Sequence, residues 1–248
     1  MKKVFMFVAA LITLMSCVSS TDFKKAEYAE ETRPIKGFNQ IQVNGSPKVV
    51  YTQGRNYEVK VKVLDKDALG VVKTELDGER LVVSLKNYRS MMFNFDKGDR
   101  FVVYVTSPDL IGVEVSGSGD FKSTKTIDTD NISLAVRGSG DISIEGLLIC
   151  DHAKMAVTGS GDLEVKNLEA MTNDITLIGS GDLSVRQRRV GNTRVQLTGS
   201  GDIEVDCEKC GTVDSNLTGS GDISISGTVS NLKKSKAGSG DYIINIRN

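Results

Sequence analysis

From Phe38 onward the chain alternates apolar and polar residues at a period of two, the signature of strands with one face buried. Phe38-Asn39-Gln40-Ile41-Gln42-Val43 opens the pattern and Asn44-Gly45-Ser46-Pro47 follows with turn chemistry. Val49-Val50-Tyr51, Tyr57–Val63, Leu81–Leu85 and Phe101–Val105 repeat it. A short helix is expected over Lys66–Glu75, and Tyr88–Arg100, with Met91-Met92-Phe93 among polar residues, reads as a long loop folded onto the sheet.

The second half carries a stronger signal. Gly-Ser-Gly-Asp occurs seven times, with first glycines at Gly117, Gly138, Gly159, Gly179, Gly199, Gly219 and Gly238, at spacings of 21, 21, 20, 20, 20 and 19. Each tetrapeptide is flanked by alternating apolar positions. Before the turn stand Val115, Val136, Val157, Leu177, Leu197 and Leu217; after the aspartate stand Phe121, Ile142, Leu163, Leu183, Ile203, Ile223 and Tyr242. A unit of this length cannot bury its apolar side alone. Stacked one strand spacing apart, such units make a continuous core and satisfy one another's backbone. The expected fold is therefore all-β: a parallel β-solenoid with coils of roughly 20 residues and Gly-Ser-Gly-Asp turns, about 30 Å long over six steps of ~4.8 Å. An array of antiparallel hairpins competes with it, but near-constant spacing with identical turns favours the solenoid. Lys236 replaces the apolar residue before the last turn, with Lys233 and Lys234 nearby, as the polar cap of a solenoid requires.

The N-terminus has different logic. Lys2 and Lys3 precede an apolar run, Val4–Leu14, too short for a mature membrane helix, and the run ends in Leu14-Met15-Ser16-Cys17. This resembles a bacterial lipobox, in which the cysteine is lipidated after cleavage and anchors the protein to a membrane. The expected organisation is a signal peptide over 1–17, a linker over 18–33, an N-terminal β-rich, less regular region over 34–110 and the repeat solenoid over 111–248. A valine at position 18 points to the outer membrane as destination.

Composition narrows the chemistry. The 248 residues are 39% hydrophobic and 25% charged with a net charge of −1, and the 31 basic residues are scattered, which argues against a nucleic acid partner. His152 is the one histidine, and no nucleophile elbow, phosphate loop or zinc cluster accompanies it, so the expectation is a non-catalytic protein without a cofactor. A solenoid polysaccharide lyase or hydrolase is the enzymatic alternative. Asp120, Asp141, Asp162, Asp182, Asp202, Asp222 and Asp241 form a ladder along one edge. Their structural reading is that each carboxylate accepts backbone N–H groups of its own or an adjacent turn. The competing reading is calcium, which takes 6–8 oxygen ligands where one carboxylate per coil supplies few. Cys207-Glu-Lys-Cys210 lacks a second pair to complete a zinc site, and a local disulfide is expected of it, with free packed thiols the alternative.

Taken together, Gly37–Gly45, Thr52-Gln53-Gly54, Leu76–Val83 and the Ser-Gly-Ser-Gly-Asp turns from Ser116 resemble the auto-transporter adhesin family with a head GIN domain, over roughly Pro34 to Asn248. The resemblance implies a right-handed solenoid-like fold and an adhesive role at the cell envelope, with a glycan or protein as ligand.

Overall fold

The computed structural model describes residues 28–64, 66–86 and 101–247. The lipobox with Cys17, the signal segment and the Tyr88–Arg100 stretch lie outside these residues. The chain runs through β1 (Ala29–Arg33), β2 (Gln40–Gly45), β3 (Lys48–Gln53), β4 (Glu58–Val63), a 3₁₀ turn at Lys66–Gly70, β5 (Val72–Asp77), β6 (Arg80–Leu85), β7 (Phe101–Ser107), β8 (Gly112–Gly117) and β9 (Asp120–Ser123). Then come β10 (Ile127–Asp128), β11 (Asn131–Gly138), β12 (Asp141–Gly159), β13 (Leu163–Gly179), β14 (Leu183–Arg188), β15 (Asn192–Gly199), β16 (Ile203–Gly219), β17 (Ile223–Gly238) and β18 (Tyr242–Arg247).

The expected β-solenoid is what these strands build. Every pairing from β8 onward is parallel and in register turn for turn: Gly117 lies beside Gly138, Gly138 beside Gly159, and so on to Gly219 beside Gly238. The long strands bend: β12 leaves one turn as Asp141–Ile144, slips register at a corner, and returns as His152–Gly159 to the next turn. One hydrophobic cluster fills the coil interior from Phe38 and Ile41 to Ile223 and Ile225, and both apolar columns flanking the turns are buried within it through Leu217 and Ile223.

The turns specify the stacking. Gly179 has φ of +135°, a conformation other residues rarely adopt. At Gly181 the constraint is close approach, since a Cβ would press on the backbone of Gly161 and Ser160 in the coil below. The closeness lets Ser180 and Gly181 both donate their N–H groups to the Gly159 carbonyl, at 2.9 and 3.2 Å.

The N-terminal region is continuous with the stack. β2 and β3 form a rung directly on β8 and β9, Gly45 beside Gly117 and Lys48 beside Asp120, across 72 residues of sequence. Gly45-Ser46-Pro47-Lys48 is thus an eighth, degenerate turn: Ser118 donates to the Gly45 carbonyl at 2.9 Å and Asp120 to that of Pro47 at 3.1 Å. β6 and β7 extend β2 and β3 on the far side. The N-terminal region and the repeats therefore share one core.

Two expectations change. Lys66–Gly70 makes a single 3₁₀ turn, and the remainder of the expected helix is β5, antiparallel to β6. Val71, Val72 and Thr74 favour strand after Gly70, and the two-residue loop Gly78-Glu79, with φ of +60° at Gly78, closes the hairpin between Asp77 and Arg80. Ala29–Arg33, expected as linker, is β1, paired antiparallel with β4, which itself lies antiparallel on β7. Parallel coils need an end, and these antiparallel strands close it.

The other end is closed by polarity. Lys234 and Lys236 occupy columns held below by Ser215 and Leu217, and both are exposed. Tyr242 donates its hydroxyl to the Ser235 carbonyl at 2.8 Å and accepts from Ser215 Oγ at 3.2 Å, while Lys234 Nζ lies 5.6 Å from its ring centre. Charged residues on a terminal strand discourage further strand addition.

Candidate functional site: the outward columns and the cysteine corner

Because the register holds from coil to coil, outward residues form columns. In the aspartate column the carboxylates from Asp141 to Asp222 each bond the next rung. Asp141 Oδ1 accepts the N–H of Asp162 at 3.0 Å, Asp162 that of Asp182 at 2.9 Å, Asp182 that of Asp202 at 3.2 Å, Asp202 that of Asp222 at 2.8 Å and Asp222 that of Asp241 at 2.7 Å. Charge-assisted bonds of this type offset repulsion between exposed carboxylates one rung apart, about 1 kcal/mol at 4 Å in water. A lysine stands at each end: Lys48 is the register partner of Asp120, and Lys236 Nζ lies 3.1 Å from Asp241 Oδ1. Among the described residues no three His, Cys, Asp or Glu side chains converge as a metal site would require.

This geometry separates two outcomes. With the carboxylates bonding backbone, Asp182→Asn keeps an acceptor oxygen in place and costs about 0.5–2 kcal/mol. Thermal melts of wild type and variant should then be indifferent to EDTA and to millimolar calcium. A large fall in wild-type melting temperature on chelation, abolished in the variant, would instead establish a calcium ladder.

The return legs, which enter the turns, present a second set of columns. One reads Asn131, His152, Thr172, Asn192, Thr212 and Asn231; the next reads Lys154, Asp174, Arg194, Asp214 and Lys233, alternating in charge from rung to rung. His152 is exposed here, its Nδ1 2.8 Å from Thr172 Oγ1. The sequence shows the alternation at spacings of 20, 20, 20 and 19, but it becomes a surface only once the register is known.

The remaining feature is the corner between β14 and β16. Cys207 and Cys210 are both buried there as free thiols, as is Cys150 elsewhere in the core, so the expected disulfide is not formed in this structure. Their sulfurs are hydrogen-bonded to one another. Around them lies a polar cluster inside an otherwise aliphatic core. Gln187 Nε2 donates to Thr193 Oγ1 at 2.7 Å and to Cys207 Sγ at 3.4 Å, and Gln187 Oε1 accepts from Asn173 Nδ2 at 3.0 Å. All of these side chains are buried. The spacing of Asn173, Gln187 and Thr193 matches no motif, so the cluster appears only in three dimensions. Outside it runs a groove of about 310 Å³, lined by Leu147, Leu168, Arg186, Gln187, Arg188 and Glu208. Arg188 pairs with Glu169 on its wall, and Arg186 Nε with Asp206 Oδ2 at 2.8 Å.

Stacked coils with long, regular outward columns and a continuous apolar interior define a β-solenoid. A family profile described as "Putative auto-transporter adhesin, head GIN domain" matches residues 37–228, and a second match covers 173–245; the chain belongs to this family. Among solved structures, a putative adhesin of Bacteroides fragilis superposes with a TM-score of 0.74 at 20% identity, over 88% of this chain and 97% of that one. A putative adhesin of Parabacteroides distasonis gives 0.71 at 19% identity, over 89% and 98%. A putative lipid binding protein of the same species gives 0.59 at 18%, over 90% and 98%. At these identities the likeness is one of fold. No curated protein matches the chain. No helix among the described residues is long and apolar enough to cross a membrane.

Proposed function

We propose that this protein is a non-catalytic lipoprotein of the cell envelope, tethered through Cys17, which presents its solenoid face to a glycan or protein ligand. The observation that carries this reading is the columned surface of the return legs. Hydrogen-bonding Asn, Thr and His side chains run beside alternating Lys, Asp and Arg at a fixed step per rung, suited to a ligand that itself repeats. Family membership supports the adhesive class, and the lipobox-like Leu14-Met15-Ser16-Cys17 supports the anchor. Outer-membrane destination follows from the valine at position 18 and belongs to the same proposal. A lipid-modified cysteine supplies enough buried chain for stable attachment.

Fractionation of cells carrying the full chain or Cys17→Ser tests the anchor. The variant should leave the membrane fraction or accumulate unprocessed; unchanged membrane association would refute the tether. The binding surface is tested on glycan and envelope-protein arrays with wild type and Lys154→Ser/Arg194→Ser. Ligands retained by the wild type should be lost by the double variant, because both cations stand in the exposed column. Retention indifferent to that change would move the site off this face.

A further inference from the structure

We propose that Cys207 and Cys210 form a reactive dithiol that closes to a disulfide by exchange with a disulfide oxidant, with Cys210 as the attacking sulfur. This goes beyond the binding role and does not depend on it.

The two cysteines sit at the corner where β16 turns, with exposed Glu208 and Lys209 between them. Lys209 has φ of +55°, and Arg189, on the neighbouring coil, has the same value; these are the two non-glycine residues with positive φ among those described. The left-handed residue curls the corner so that both sulfurs point into the coil and meet. The register also slips between Cys207 and Cys210 against β17, a bulge on that side, while Cys207 and Glu208 stay paired with Gln187 and Arg188 of β14. A bulged corner holding two touching thiols three positions apart is a place where a disulfide can close.

The neighbours make the thiols unequal. Cys207 donates its proton toward Cys210, and this bond holds the Cys210 thiol below the usual range for cysteine, against the opposing effect of burial. The same bond, reinforced by burial, pushes Cys207 far up, so it keeps its proton. Gln187 spans the pair: its side-chain Nε2 donates to Cys207 Sγ, and its carbonyl lies 3.6 Å from Cys210 Sγ, with the Glu208 carbonyl at 3.8 Å. Gln187 and Glu208 also line the outer groove, which brings a small oxidant to the back of this corner. Cys150 is the internal contrast: burial pushes it up to about 11, and it has no thiol beside it.

The step balances as ordinary exchange. The Cys210 thiolate attacks one sulfur of RS–SR, forming a mixed disulfide and expelling RS⁻. The Cys207 proton passes to that thiolate, giving RSH, and the Cys207 sulfur attacks Cys210 and expels the second RS⁻. Two electrons leave the protein sulfurs and reduce one disulfide to two thiols. Both sulfurs are buried, so oxidant gains access through local opening of the corner.

The full chain, reduced and folded, is incubated with excess oxidised glutathione, then denatured, alkylated and digested with trypsin. Lys209 places the cysteines in separate peptides, Val195–Lys209 and Cys210–Lys233, so a bridge appears as their linked mass, two hydrogens lighter than the sum. The linked pair should dominate while Cys150 remains alkylated. With Cys207→Ser, Cys210 should retain one glutathione. With Cys210→Ser, modification of Cys207 should be at least about tenfold slower, following its smaller thiolate fraction. Two free thiols in the wild type after incubation would overturn the proposal, a result that needs no variant to fold. Equal rates in the two single variants would overturn the assignment of Cys210 as the attacking sulfur.

Discussion

Gly181→Ala should cost this protein at least about 3 kcal/mol, a large part of the 5–15 kcal/mol that stabilises a typical domain. The side chain gained is one methyl group, but it has no space to enter. Its Cβ would lie against the Gly161 carbonyl oxygen, with Gly161 C and Ser160 C both at 3.0 Å, and every one of these atoms is backbone. Backbone locked into a turn on both rungs cannot step aside as a flexible side chain would. Relief therefore requires the rungs to separate, which stretches the bonds from Ser180 and Gly181 to the Gly159 carbonyl. Gly70→Ala is the control: a Cβ there meets nothing within 4 Å, and the change should stay within about 0.5 kcal/mol. Urea denaturation followed by circular dichroism reads both. Similar midpoints for the two variants would show that the turns are not what sets the rung spacing.

The same contact explains how much of the fold was legible in the sequence. A glycine needed at each level for close approach cannot drift, so the Gly-Ser-Gly-Asp repeat marks the turns directly, and period-two alternation then assigns inside and outside for the legs. The aspartates follow the same geometry: from Asp141 to Asp222 a carboxylate beside a stacked turn has the next rung's N–H within reach, as at Asp162 and Asp182. Legibility failed where spacing and structure part company. Gly45-Ser46-Pro47-Lys48 departs from the repeat at its third and fourth residues and lies 72 positions before the turn it stacks on, so no local period reveals it as a rung. Val71–Glu75 falls in the expected helix because a lone strand has no partner in sequence; β6 supplies it through the Gly78-Glu79 turn. The cysteine corner was read from spacing alone, whereas its character comes from Gln187, which reaches it from another coil.

The buried Asn173–Gln187–Thr193 cluster raises an energetic question that spacing cannot. Unpartnered, each amide or hydroxyl would cost about 1–3 kcal/mol on burial, so the cluster survives by mutual bonding. Asn173 Oδ1 lacks a partner, the one unmet acceptor of the cluster. Because Asn173 and Thr193 are adjacent in register and Gln187 reaches across the coil interior to both, the cluster matches particular coils to one another in a way interchangeable aliphatic columns do not.

That near-interchangeability leads to the second large effect. Deleting residues 199–218 removes one whole coil and joins Thr198 to Gly219, which preserves the Leu-Thr-Gly-Ser-Gly-Asp-Ile sequence across the splice. The strand that follows keeps its inward and outward faces: Ile223 and Ile225 come to lie on Leu183 and Val185, which Ile203 and Val205 cover in the intact chain. Gln187 keeps its bonds to Asn173 and Thr193 and loses its contacts with Cys207 and Cys210. A quasi-one-dimensional stack loses one nearest-neighbour interface in this way and should still unfold in a single transition at a lower temperature. Deleting only residues 209–218 removes half as much chain and should do far more damage. It joins Glu208 straight to Gly219, so the return leg Thr212–Thr218 disappears and the leg of β15 facing it loses its partner. The turn at Gly219 then arrives half a coil early, and the strands after it cannot place their apolar residues inside. The damage should stop there, because the rungs before β15 depend only on their own neighbours. Limited proteolysis should therefore cut the half-coil variant after about residue 199 and leave the N-terminal part protected, while the whole-coil variant resists throughout. If the shorter deletion melts at or above the longer one, the strands can slide, and register is not held by the turns.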